Sequence, residues 1–459
     1  MSRATTIAAA QARLDQGNFA RDLAEMVAIP SASLVPQARP ELTRFLDDWL
    51  APRLSAMGFA LRKLHHPDAP GPVLLAERIE RAGLTTILQY GHGDVVAGMN
   101  GWSEGLAPFT LTERDGRWYG RGTADNKGQL LVNLTALDAL LATRGHLGFN
   151  VKFLIEMGEE TGSPGLREIC KEHREALAAV VLIASDGPRL AADRPTLFLG
   201  ARGTISFGLE VAARDSFQHS GNWGGLLSNP GVILCHAIAA LIGPKGEIQV
   251  PELKPPPLAS RLREILGRLT LAPLPTDPAI EGWWGEPGLS GPEKVFGWSN
   301  LEVLEMECGN LAQPVNAIPP RARARLQLRF PVGVDVAAVV SAVRRHLAQA
   351  GFDRVRVHEP DELPFHATRL DPDHPWVTRI AASLEKTAGE APAILPNLGG
   401  SLPNDIFAND LGLPTVWIPH SYPGCRQHGP DEHLPIALAR QALGLMAGLY
   451  WDLGAAPGD

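Results

Sequence analysis

Three strand-like apolar runs, residues 85–90, 150–156 and 179–184, are each followed closely by ionisable side chains: His92 and Asp94, Glu159 and Glu160, and Asp186. A further run at 72–78 precedes them, and apolar positions at helical spacing over 127–143 separate the first of the three from the second. Alternating strands and helices read as an open α/β sheet, because such strands bury their faces under the connecting helices. Ligands of these sheets collect beyond the carboxyl ends of the strands, so the ionisable groups are expected to converge at one edge. Two helices, at about 5–28 and 41–57, open the fold and close at Pro30 and Gly58.

A chain of 459 residues exceeds one ordinary core, so two domains are expected. Beyond Gly200 the pattern changes to a long strand-like run at 204–211, a helix at 229–242, strands at 301–307 and 322–330, and a helix at 334–350. A small antiparallel sheet with helices on one face suits that order. The stretch 242–300, rich in Pro, Gly and Trp, reads as long irregular loops. From about 363 the first pattern resumes, with a helix at 374–387, the turn NLGGSLPND, a strand at 415–418 and a terminal helix at 435–453. The expected architecture is α/β: an open, mostly parallel sheet domain formed by residues 1–200 and 363–459, with a smaller α+β domain, residues 201–362, inserted into it.

Composition narrows the function. Hydrophobic residues are 45% and charged residues 20%, ordinary for a soluble globular protein, and a net charge of -8 without a Lys/Arg run argues against nucleic acid. The four cysteines, Cys170, Cys235, Cys308 and Cys425, contain no C-x-x-C pair, which points away from a structural zinc site or a disulfide framework. The N-terminal segment lacks an apolar core followed by a cleavage site, and no apolar run is long enough to cross a membrane. A cytoplasmic protein with small-molecule partners, and neither membrane nor nucleic acid, is the expectation.

Five short motifs carry the chemistry: GHGDVV with His92, GRGTADNKG with Asp125, EMGEETGS with Glu160, IASDG with Asp186 and RQHGPDEH with His428. Two histidines and three carboxylates could hold a pair of divalent cations. In order and wording the motifs resemble the di-zinc family of carnosinase-type dipeptidases, aminoacylases, carboxypeptidase G and succinyl-diaminopimelate desuccinylase, most of all the first. The resemblance runs from about Ile29 to the terminal helix. It implies two Zn2+ per chain, with Co2+ or Mn2+ also accepted: His92 and Asp186 on one ion, Glu160 and His428 on the other, and Asp125 bridging both. It also implies a cis peptide between Asp125 and Asn126, and Glu159 as the general acid/base. Asp94, two residues after His92, has the spacing at which a carboxylate accepts the other ring N–H and fixes the tautomer.

The segment QHSGNWGGLLSNP resembles the one in which the dipeptidases carry a histidine that crosses to the partner subunit and helps bind the reacting carbonyl oxygen. By that resemblance His219 serves a homodimer with composite sites, and the inserted domain is a lid and dimerisation domain. Asn316 and Arg329, in NAIPPRARARLQLR, match residues that contact substrate there, and a guanidinium fork suits a terminal carboxylate. Arg321, Arg323 and Arg325 alternate with apolar residues as on a half-exposed strand. Gly399, Gly400 and Ser401 resemble a glycine-serine turn whose N–H groups and hydroxyl approach a substrate carboxylate. Asn397 and Leu398 stand where dipeptidases commonly carry Arg-Glu, which leaves substrate preference open. His420 and His433 read as surface or supporting groups. The expected function is metal-dependent cleavage of a peptide or amide bond in a small substrate with a free carboxylate, as in a dipeptidase. A deacylase of N-acyl amino acids and a metal-free, non-catalytic binding relative are the alternatives.

Overall fold

In the computed structural model, which describes residues 2–271, 279–360 and 363–455, the chain divides into two compact units. The first comprises Met1–Gly200, Leu370–Leu395 and Pro403–Asp459, and the second Ala201–Arg369 and Pro396–Leu402. The glycine turn, which the sequence groups with the α/β domain, therefore packs with the second unit. Its carbonyls at Leu398, Gly399 and Gly400 accept hydrogen bonds from Arg202, and these tie it there.

The first unit is built on an eight-stranded sheet in the order Ala60–Leu64, Val73–Arg78, Asn150–Glu156, Thr86–His92, Val181–Ala184, Thr415–Trp417, Thr196–Phe198, Ala393–Leu395. Thr86–His92 runs parallel to both Asn150–Glu156 and Val181–Ala184, and Thr415–Trp417 runs parallel to the latter. Every residue of Asn150–Glu156 is buried, the signature of a strand covered on both faces, and its sequence NVKFLIE shows no strict alternation for the same reason. The open, mostly parallel sheet expected from the alternating pattern is the one observed. Ala60–Leu64 and Val73–Arg78 add antiparallel strands at one edge. The outermost, ALRKL, is largely exposed and charged, as edge strands are, and offers little apolar signal in the sequence.

Helices Arg3–Asp15, Lys127–Arg144, Pro375–Ala388 and Ile436–Leu453 pack against one another and join the sheet's core. The single opening helix expected from periodicity is two, Arg3–Asp15 and Asn18–Val27, broken where Gly17 takes a left-handed φ of 76°. No helix among the described residues is long and apolar enough to cross a membrane.

In the second unit the sheet order is Asn300–Cys308, Arg321–Phe330, Gly203–Ala212, Arg356–His358, all antiparallel. Ile205, Phe207, Leu209 and Val211 point to one face with Leu326 and Leu328, and helices Pro230–Leu241 and Val339–Gln349 cover that face. The stretch 242–300 is less irregular than expected. It holds helices Ser260–Gly267 and Gly291–Gly297, the first burying Leu262, Ile265 and Leu266, the second opened by a reciprocal capping box between Ser290 and Glu293. A proline in a first helical turn breaks nothing, so composition misread Gly291–Gly297 as loop.

Trp417 anchors the first unit's sheet. Fully buried, it stacks on Phe198 at 5.6 Å and 10°, meets Tyr90 edge-on at 5.7 Å, and donates its indole N–H to Asn404 Oδ1 at 2.8 Å. Trp417→Ala should destabilise the protein by about 3–5 kcal/mol, read as a lower urea midpoint at unchanged m-value.

Candidate metal centre

Strand direction gathers the site. His92 ends Thr86–His92, Glu159 and Glu160 lie in the 3-10 turn Glu159–Thr161 after Asn150–Glu156, and Asp186 follows Val181–Ala184. These strands are parallel neighbours, so their carboxyl ends share one edge. Asp125 stands just before helix Lys127–Arg144, joined to Asn126 by a cis peptide bond. His428 comes from the loop after Pro423–Cys425 and has a left-handed φ of 63°.

Asp125 lies between the two imidazoles. Its Oδ1 is 3.2 Å from His92 Nε2, and its Oδ2 is 3.1 Å from His428 Nε2. His92 Nε2 is also 3.4 Å from Asp186 Oδ2, and His428 Nε2 is 3.1 Å from Glu160 Oε2. Two sets of three thus share Asp125: His92, Asp125 and Asp186, and Asp125, Glu160 and His428, with ligand atoms in each set all within 4.8 Å of one another. The Glu159 carboxylate reaches to 3.9 Å from His92 Nε2.

Charge within the cluster is strongly one-sided. Burial alone would raise the Asp125 carboxyl, yet the imidazoles of His428 and His92 beside it hold it below the usual carboxylate range. Burial and the neighbouring Asp125 charge raise Glu160 to about 7, and burial raises Glu159 well above its ordinary value. Hydrogen bonds to Asp125 and Glu160 push His428 to about 11. Carboxylates this crowded draw positive charge. His92 Nε2, Asp186 Oδ2 and Glu160 Oε1 are moreover buried without a hydrogen-bond partner among the described residues. Orphaned imidazole and carboxylate atoms of this kind fit a pair of borderline divalent cations.

Supporting groups fix each member. His92 Nδ1 is 3.0 Å from the backbone carbonyl of Asp94, which directs the Nε2 lone pair at the cluster. The expected partner, the Asp94 carboxylate, lies farther off, its Oδ1 at 3.4 Å. It accepts instead the N–H groups of Glu159 and Glu160 at 3.2 Å each and the Ser33 hydroxyl at 2.7 Å, so it braces the acidic turn. Gly93 between them has no room for a side chain, since a Cβ would meet the Phe45 ring at 2.3 Å.

Sequence reasoning missed three residues. Glu432 Oε1 accepts the N–H groups of Gly122, Ala124 and Asp125 at 3.1, 3.0 and 3.0 Å, while its Oε2 accepts from Arg121 at 2.6 Å. Asn126 donates to the Ser185 carbonyl, and Gln129 to those of Ala124 and Gly187, which knits the loops of Asp125 and Asp186 together. The only sequence trace of Glu432 is the acidic pair beside His428. Its companion Asp431 accepts from Ser103 and Arg426 and ties down the His428 loop. His420 and His433 are buried rather than superficial: His420 Nε2 is 3.1 Å from Ser185 Oγ, and His433 Nδ1 is 2.9 Å from the Asp431 carbonyl.

The remaining candidates belong to the second unit. Arg329 donates to Ser401 Oγ at 3.1 Å, and Gly400 lies in the same turn. His219 is exposed and pairs with Ala317, and the Asn316 carbonyl accepts the N–H of Ser220. His219 Nδ1 accepts the Gly221 N–H at 3.1 Å, which assigns the proton to Nε2 and makes that atom a donor.

Residues 88–451 match the profile of peptidase family M20/M25/M40. The Beta-Ala-His dipeptidase of Homo sapiens is 30% identical over 387 residues, 80% of this chain and 75% of that protein. The Cys-Gly metallodipeptidase dug1 of Schizosaccharomyces pombe is 31% identical over 459 residues, 91% of this chain and 92% of its own. The crystal structure of human carnosine dipeptidase 1 superposes with a TM-score of 0.78 at 25% identity, over 98% of this chain and 99% of that one.

Replacing Glu432 tests the support of the centre. Glu432→Ala leaves the Arg121 guanidinium buried without its carboxylate and should destabilise the protein by about 3–5 kcal/mol in urea unfolding. Metal affinity, followed by competition with a chromophoric chelator, should fall by roughly 10–100-fold. Glu432→Gln, which keeps an acceptor for the three N–H groups, should fall between the variant and the wild type on both measures.

Proposed function

Because the chain belongs to peptidase family M20/M25/M40, we propose that it is a di-zinc, dipeptidase-like hydrolase that cleaves a peptide bond in a small substrate with a free carboxylate. The observation that carries this reading is the pair of His/carboxylate sets joined through Asp125. His92, Asp186, Glu160, His428 and the shared Asp125 would hold the ions, and the same atoms would accept Co2+ or Mn2+. Bound there, such cations acidify a water and polarise an amide carbonyl.

The chain's own residues supply the rest. Glu159, its carboxyl raised by burial, takes the proton from the attacking water and returns it to the leaving nitrogen, work that favours a pKa near neutrality. The Nε2–H of His219 donates to the developing oxyanion. Arg329, Asn316 and the Gly400–Ser401 turn bind the substrate, the guanidinium taking the carboxylate. We read the protein as a homodimer in which His219 serves the partner's centre. Support comes from the edge strand Asn300–Cys308, whose Val303, Leu304 and Met306 are exposed. The four unpaired cysteines support a cytoplasmic location.

Glu159→Gln should keep both metals by elemental analysis while turnover falls by at least about 10²–10⁴-fold; a metal-replete variant with wild-type turnover would remove Glu159 from this role. Chelation should abolish the wild-type activity, and Zn2+, Co2+ or Mn2+ should restore it. A panel of dipeptides against N-acetyl amino acids then separates a peptidase from a deacylase, with the dipeptides expected to be cleaved.

Composite sites make a further demand. His219→Ala and Glu159→Gln chains, each inactive alone, should regain roughly a quarter of wild-type activity when co-assembled in equal amounts, because one mixed dimer site carries both intact residues. A two-chain species by sedimentation with no such recovery would place His219 outside the partner's reaction.

A further inference from the structure

Arg202 lies at the end of the second unit's sheet that also bears Arg329. Arg329 is opposite both Asn300 and Thr204 in register, and Arg202 immediately precedes strand Gly203–Ala212. The chain reaches this position only because residue 203 is glycine: a Cβ there would meet the Phe330 ring at 2.4 Å and the Phe365 carbonyl at 2.7 Å. Arg202 then donates from Nη1 to Asn300 Oδ1 and from Nε to the Gly399 carbonyl, both at 2.7 Å. Arg329 donates to Ser401 Oγ, so both guanidiniums hold the same short turn.

Neither guanidinium touches a carboxylate among the described residues; the charge of Glu302 offsets Arg202 only in part and without contact. Among these residues neither Arg202 nor Arg329 forms an ion pair, whereas the more deeply buried Arg121 has Glu432 at 2.6 Å. Glu302, the nearby acid, accepts from Asn300 Nδ2 instead. Arg189 is also buried without a carboxylate, but it directs its N–H groups at Pro419, Ala192 and Gln441 and has no second cation beside it. Arg202 is only 7% exposed, and two adjacent cations with one so far withdrawn from water are unfavourable until an anion completes them. Burial, then the Arg329 charge, pulls Arg202 down to about 10, which still leaves it protonated at neutral pH. Donors remain for an anion: Arg202 Nη2 and Arg329 Nη2 make no hydrogen bond among the described residues, and neither is sealed from solvent.

We propose that Arg202 is a second carboxylate-binding residue, which joins Arg329 and Ser401 in a two-guanidinium receptor for the free carboxylate of the substrate. The inference rests on the reading above that the substrate carries such a group. Arg202 arrives already locked by Asn300 and Gly399, so little conformational freedom is lost when the anion binds. Its consequence is selectivity: a second fixed positive charge favours free acids over the same compounds amidated or esterified at that end.

The test compares alanyl-alanine with its C-terminal amide, by calorimetric binding to metal-loaded Glu159→Gln protein and by KM and kcat in the otherwise wild-type enzyme. Arg202→Gln should weaken binding of the acid by at least about tenfold, raise its KM by a similar factor, and change binding of the amide by less than about twofold. Asn300→Asp retains the hydrogen bond to Arg202 but neutralises the second charge, and it should reproduce the same loss in a fold left intact by far-ultraviolet circular dichroism. Equal losses for acid and amide, or a folded Asn300→Asp protein that binds the acid as its parent does, overturn the proposal. Wild-type enzyme that cleaves no dipeptide sinks the functional reading by itself, while the binding comparison still decides whether the arginine pair is a carboxylate receptor.

Discussion

One carboxylate organises the first unit. Asp125 offers an oxygen to each of two histidines, and those imidazoles keep the carboxylate ionised against its burial. Glu432 accepts its backbone N–H together with those of Gly122 and Ala124, so the loop is clamped by an acid that is itself paired with Arg121. A buried carboxylate held by another buried carboxylate is stable only when backbone N–H groups and a guanidinium neutralise the second. Glu432 meets that condition. Glu160 and Asp186 do not meet it among the described residues, and the unpaired Oε1 of the first and Oδ2 of the second are atoms that a cation would satisfy.

Preorganisation explains the rest of the local design. His92 is oriented through its Nδ1, Asp186 Oδ1 accepts the following N–H at 2.7 Å, and the His428 loop is pinned through Asp431. The Glu159–Thr161 turn is braced by Asp94. Each proposed ligand, or the loop or turn that carries it, is thus held by at least one contact independent of any ion. Parallel strands make this economical, because three neighbouring carboxyl ends deliver three loops to one edge before any tertiary adjustment.

What the sequence revealed follows from the range of each interaction. Apolar runs such as 85–90 and 150–156 are local, and they predicted both the strands and the edge at which His92, Glu159, Glu160 and Asp186 meet. Short strands left little trace: Thr196–Phe198, Ala393–Leu395 and Arg117–Tyr119 have only three residues each, too few for a period. Partners distant along the chain were harder still. Spacing suggested the Asp94 carboxylate for the His92 ring, but a backbone carbonyl at the same residue reached it first and left the carboxylate to the turn some 65 residues on. Glu432 and Arg202 act through groups remote in sequence, so nothing near them marks their work.

The two units carry complementary charge problems. In the first, an excess of carboxylates surrounds buried atoms that lack partners; in the second, two guanidiniums without a carboxylate flank a glycine-serine turn. Folding did not remove either imbalance. Retained charge of this kind is informative because it is unfavourable in the isolated chain and becomes favourable only with an external partner. On the function and the carboxylate receptor proposed above, cations would answer the first imbalance and an anion the second.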